Sequence, residues 1–105
     1  MAKAFHVDVV SPEGTIWSGE ATFVIARTPE GEIGILADHE PLLAALVTSA
    51  VQVDGADGSQ TTIGVHGGFL QVLANQVTLL TDRAQIATGG RQEAAEVAAN
   101  LAAGA

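Results

Sequence analysis

Asp38-His39-Glu40 is the one place in this chain where an imidazole stands directly between two carboxylates. General acid–base catalysis and metal ligation both use that combination. Neighbouring residues of an extended segment project to opposite sides, however, so all three side chains converge on one ion only in a special loop. No His-Glu-x-x-His spacing is present, and His6 and His66 have no spacing relation to the cluster. The residue types therefore favour a structural or partner-contact role for His39.

A second candidate is His66-Gly67-Gly68-Phe69, which resembles the His-Gly-Gly stretch that builds an oxyanion hole in some esterases. Those enzymes also place a serine on a Gly-x-Ser-x-Gly elbow, and this sequence has none. Paired glycines at a strand end more simply mark a tight bend where a side chain would collide. Lys3 is the only lysine, so a phosphate-binding Gly-x-x-x-x-Gly-Lys loop is absent, and Gly89-Gly90-Arg91 alone is a weak signal. His6 and Asp8 share a strand face and read as the wet side of an edge strand. Nothing in these patterns calls for a cofactor.

The elements that must position these residues are bounded by 105 residues, the length of one domain. Twelve acidic residues against four basic ones, Lys3, Arg27, Arg83 and Arg91, give a net charge of -8. That sign disfavours nucleic acid and anionic lipid, and suits a basic protein surface. There is no cysteine, which removes disulfides and thiolate metal sites. His6 and Asp8 interrupt the N-terminal "MAKAFHVDVV", which argues against a signal peptide. No apolar run approaches the ~20 residues of a membrane helix. The default compartment is the cytoplasm.

Residues 4 to about 87 read as short strands divided by turns. Phe5, Val7 and Val9 alternate with polar neighbours, the period of a strand with one buried face. Thr15–Ser18 suggests a brief second strand, ended by Gly19, before "ATFVIART". Leu42–Val47 suits either a helix or a strand. Asp54-Gly55-Ala56-Asp57-Gly58 is a hairpin turn, and "QTTIGV", "FLQVL" and "VTLLT" supply further strands. This spacing predicts an all-β antiparallel sandwich or barrel. Beyond Thr88-Gly89-Gly90, "RQEAAEVAANLAAGA" places Ala94, Val97, Ala98 and Leu101 at helical spacing, with Gly104 as a stop. The division is a sandwich over 1–88 and a short helix or tail over 89–105.

Four blocks in order, "VDVVSPEGTIWSGEA" (7–21), "GEIGILADHEPLL" (31–43), "VHGGFLQV" (65–72) and "VTLLTDRAQI" (77–86), resemble the epsilon subunit of F-type ATP synthase, most closely its actinobacterial branch. The resemblance implies a flattened antiparallel β-sandwich of about ten short strands. It also implies a non-catalytic rotor subunit of the central stalk, linking gamma to the c-ring and coupling proton flow to ATP synthesis. Such a chain sits peripherally at the cytoplasmic face of the membrane, without inserting into it.

The family's c-ring loop corresponds to Gly31 through Pro41. Glu32 and His39 fall on its polar positions, accompanied by Gly31, Asp38 and Glu40. Ser11 matches a position near gamma. The implied roles are a charge for a basic c-ring loop and a hydrogen-bonding cap beside it.

Two departures stand out. Ala37 replaces the family's usual proline, which implies a less rigid loop. Only about fifteen residues follow the glycines, too few for the family's two-helix arm. The Asp/Glu-x-x-Arg-Ala element with which some relatives bind ATP is also missing, since Asp82-Arg83-Ala84 lacks its spacing. The expectation is coupling without helix-mediated inhibition or ATP binding. Two other readings stay open: a free-standing β-sandwich that binds a different protein, and a small hydrolase using His39 or His66.

Overall fold

A computed structural model describes residues 3–103. Nine strands and one helix follow in order: β1 Phe5–Ser11, β2 Gly14–Thr28, β3 Gly31–Ile35, β4 Leu42–Ala45, β5 Ser49–Gly55, β6 Gln60–His66, β7 Phe69–Leu73, β8 Gln76–Leu80, β9 Arg83–Ala87 and α1 Arg91–Ala102. The strands form one hydrogen-bonded sheet in the order β4-β7-β8-β1-β2-β5-β6-β9, with β3 on β2.

This continuous sheet folds over on itself, and β2 is the reason. Its first half pairs with β1, while its second half pairs with β3 and β5. A register shift between Ala21 and Phe23 marks the changeover. Such irregularities bend a strand and raise its twist, which carries one strand from layer to layer. Gly19, expected to end a short strand, instead lies within this 15-residue element. The Trp17 ring lies over Gly19, where a Cβ would come within 3.0 Å of it, so the glycine accommodates an aromatic side chain rather than a turn.

The inner faces of the two layers close on Phe5, Val7 and Val9 from β1, Leu70 and Val72 from β7, Val51 and Val53 from β5, and Ile63 and Val65 from β6, all at most 2% exposed. The alternation in β1 is thus the one read from sequence, buried at odd positions and half-buried at even ones. All pairings are antiparallel except β1 with β8, which runs parallel. Strand β1 consequently lies between β8 and β2, and is not the edge strand that its polar face suggested. Leu42–Ala45 resolves as a strand because Leu42 and Ala44 face Val72 and Leu70 across a β7 pairing.

Helix α1 lies on the outer face of the second layer, against β5, β6 and β9. Ala94 and Ala98 are fully covered. Gly64 makes this approach possible, since a Cβ there would sit 2.6 Å from the Ala94 carbonyl oxygen and 2.8 Å from the Ala98 nitrogen. Strand β6 is therefore buried on both faces. Gly104 lies outside the described residues. No helix among the described residues is long and apolar enough to cross a membrane.

Candidate functional site

Strand β3 carries Gly31 and Glu32 at one end and leads to Asp38-His39-Glu40 at the other. Its five residues span roughly 15 Å at the usual strand rise. The six residues singled out above therefore fall into three separate places.

The first is the β2–β3 hairpin. Gly31 adopts φ 125, a region that L side chains avoid. Thr28 fastens the turn: its hydroxyl donates to the Gly31 carbonyl at 3.1 Å and accepts from the Glu30 amide at 3.2 Å. Glu32 then lies opposite Arg27 in the strand pair. Its carboxylate is not free, because Arg91 at the start of α1 donates to it at 2.5 Å.

The second place is the β3–β4 loop. Asp38 sits at φ 65, where aspartate is among the better-tolerated residues. Asn75 clasps it twice, accepting from the Asp38 amide at 2.6 Å and donating to the Asp38 carboxylate at 2.9 Å. Lys3 adds a donation at 2.9 Å. The Asn75 amide, followed by Lys3, holds the Asp38 carboxyl below the usual carboxylate range. His39 turns toward its own neighbour, with Nδ1 2.7 Å from the Glu40 carbonyl oxygen, and the Glu40 side chain is exposed. Asp38 lies in a turn and not in an extended segment, and the three adjacent side chains nevertheless do not gather into a group that could hold a metal ion.

Ser11 occupies the third place, in the β1–β2 turn. Its hydroxyl accepts from the Glu13 amide at 3.2 Å, and the residue is buried. It lines a cleft of about 490 Å3 with Val10, Pro12, Gly68, Phe69, Leu80, Thr81 and Asp82. Gly68 is needed here, for at φ 108 a Cβ would overlap the Leu80 carbonyl. This is the bend that the paired glycines implied. His66 Nδ1 lies 2.9 Å from the Thr48 hydroxyl.

Sequence reasoning did not single out the surface beside that cleft. Phe69 and Leu80 are direct partners across β7 and β8, and Ala45 and Val10 flank them in register on β4 and β1. With Leu43 and Leu73, and with Gln71 and Thr78 between them, these residues make a largely apolar outer face, Leu43 71% exposed, Phe69 54% and Leu80 49%. The signal was present in "FLQVL", but alternation alone does not say which of its faces is covered.

The same layer becomes polar toward β2. His6 Nδ1 lies 2.8 Å from Glu20 and its Nε2 lies 3.2 Å from Asp8. Ser18 donates to Asp8 at 2.6 Å and Gln76 donates to it at 3.0 Å. The Glu20 hydrogen bond, helped by Asp8, raises the His6 pKa. The Ser18 hydroxyl, aided by His6 and Gln76, lowers that of Asp8.

Comparison with known proteins matches residues 4–87 to the family described as ATP synthase, Delta/Epsilon chain, beta-sandwich domain. The ATP synthase epsilon chain of Streptomyces avermitilis is 41% identical over 87 residues, covering 83% of this chain and 70% of the relative. That of Streptomyces griseus is 39% identical over 102 residues, covering 97% and 82%. The Rhodococcus jostii epsilon chain is 46% identical over 91 residues, covering 86% and 75%.

Among structures, a chain of the Euglena gracilis mitochondrial ATP synthase, in an assembly of OSCP, F1 and c-ring, superposes with TM-score 0.72 at 26% identity, covering 76% of this chain and 51% of that one. A chain of the Tetrahymena thermophila central stalk and c-ring shares the fold alone, with TM-score 0.66 at 13% identity over 97% of this chain and 93% of that one. With the folded-over sheet, the glycine-bounded β3 segment and the clasped β3–β4 loop all inside the matched residues, this chain belongs to the β-sandwich family of ATP synthase delta and epsilon chains.

Proposed function

We propose that this chain is a non-catalytic rotor subunit of a proton-translocating F-type ATP synthase, seated peripherally between gamma and the c-ring and carrying torque between them. The observation that carries this reading is the apolar outer face of Leu43, Phe69, Leu73 and Leu80 beside the Ser11 cleft. Monomeric proteins rarely leave such rows uncovered, and a net charge of -8 favours a partner with basic groups. Gamma is the partner assigned to that face. The segment from Gly31 to Pro41 is assigned to the c-ring loops, with Glu32, Asp38, His39 and Glu40 as its polar contacts.

A sheet closed around one core, with its docking loop clasped by Asn75 and Lys3, is stiff enough to pass a twisting load. No bond needs to be made or broken in that role.

The test is association with gamma and the c-ring, followed by proton-driven ATP synthesis in vesicles. Leu80→Asp should leave the sandwich folded, because the side chain points outward, and weaken gamma binding ten-fold or more, the effect of charging a buried interface anchor. Unchanged binding by that variant, or full coupling in a synthase lacking this chain, would overturn the reading.

A further inference from the structure

Helix α1 and the β2–β3 hairpin meet at a single carboxylate. Arg91 reaches Glu32 across 59 positions of sequence. Both side chains remain 45% exposed, so a cation arriving from outside can contest the same oxygens. Arg27 stands opposite Glu32, and its guanidinium has no hydrogen-bond or ion-pair partner among the described residues. The two arginines line a cleft of about 390 Å3 with Thr48, Ser49 and Gln92. A basic loop approaching Glu32 therefore meets a carboxylate that is already engaged and flanked by like charge. The simple picture of a free carboxylate meeting a basic loop does not hold at this position.

We infer that helix α1 and a cationic partner loop compete for the Glu32 carboxylate, so that each weakens the other's hold. The inference rests on the reading above, in which Glu32 docks on the c-ring. Thermodynamic linkage makes the coupling reciprocal. An exposed ion pair sets its size at about two- to five-fold in affinity. The rest of the helix is held independently, by Gly64 beneath its middle and by Arg83, which donates to the Leu101 carbonyl at 3.3 Å. The helix thus stays seated when Arg91 lets go, and the contact tunes docking without releasing the helix.

A double-mutant cycle decides the matter, using a detergent-solubilised gamma–c-ring subcomplex of an actinobacterial synthase as the probe. Relative to the unsubstituted chain, R91Q should tighten binding two- to five-fold, while R91K, which keeps the cation, should bind as the original does. The gain should vanish in the E32Q background, and it should fade near ~0.5 M salt as screening shortens the range of the pair. Amide exchange at the Arg91 end of α1, from Ala94 to Glu96, should quicken by no more than the same two- to five-fold on complex formation for the original chain and not for R91Q, while the Leu101 end is unchanged. If E32Q weakens docking but R91Q fails to strengthen it, competition is wrong and the docking reading stands. Equal tightening by R91Q with and without Glu32 also overturns the competition. No effect of E32Q on docking removes the reading on which the inference rests.

Discussion

Gly64→Ala adds one methyl group beneath helix α1, and its consequence can be worked from the geometry. The new Cβ would lie 2.6 Å from the Ala94 oxygen, 2.8 Å from the Ala98 nitrogen and 2.8 Å from Val97 Cγ1. Two of these are backbone atoms and cannot rotate aside. Relief requires the helix to lift by about 1 Å, a gap that forfeits roughly a quarter to a half of each contact's attraction along the seam. Overpacking of this kind costs about 1–3 kcal/mol.

The sign is diagnostic, because alanine in an unobstructed strand is favoured over glycine by about 0.5–1 kcal/mol. The helix has 12 residues and is marginal without its seat. The cost should therefore appear mainly as local release. Amide exchange of α1 should accelerate by roughly five- to 150-fold, the rate equivalent of that penalty, while β1 and β8 amides change far less. Unaltered α1 protection, or a stabilised protein, would refute the claim that Gly64 exists to admit the helix.

Asn75→Ala removes both halves of the clasp on Asp38 and places alanine at φ 63. A fall in Tm of roughly 5–10 °C is expected, and an unchanged Tm would mean the loop is ordered by other contacts. His6→Gln should show a pH signature. The folded-state pKa of His6 is raised, chiefly by Glu20, so its contribution is complete below the ordinary histidine value and is lost as pH rises through the raised value. Asp8 has a lowered pKa, so its own contribution is constant across that window and is lost only at acid pH. The Tm gap between the original chain and His6→Gln should be wider near about pH 5.5 than near about pH 8.5, and a gap independent of pH would count against the cluster.

Much of the sandwich was legible because its strands are short and their period of two is local. Phe5, Val7 and Val9 announced their buried face, and Gly67-Gly68 announced their bend. Features that depend on distant partners were not legible. The parallel pairing of β1 with β8 joins segments about seventy residues apart, and no local pattern encodes it. Gly19 read as a break because a glycine accommodating a tryptophan ring looks, in sequence, like a glycine in a turn. Leu42–Ala45 was ambiguous for a related reason, since leucine and alanine suit a helix until β7 supplies a neighbour.

The site divided the same way. Residue types around Asp38 to Glu40 drew attention to the loop, but the clasp depends on Lys3 and Asn75, 35 and 37 positions away. Glu32 stood out as a charge on offer, whereas its engagement by Arg91 appears only once the helix has folded back.

Because the chain has no cysteine, a single one can be introduced without background. His39→Cys and Pro12→Cys, the latter at the exposed neighbour of buried Ser11, each carrying a photoreactive maleimide, should be assembled separately into an otherwise complete synthase and irradiated. A cross-link is expected from position 39 to the c subunit and from position 12 to gamma, in enzyme whose ATP synthesis was intact before irradiation. An assembled, coupled enzyme in which neither position touches its assigned subunit would contradict it.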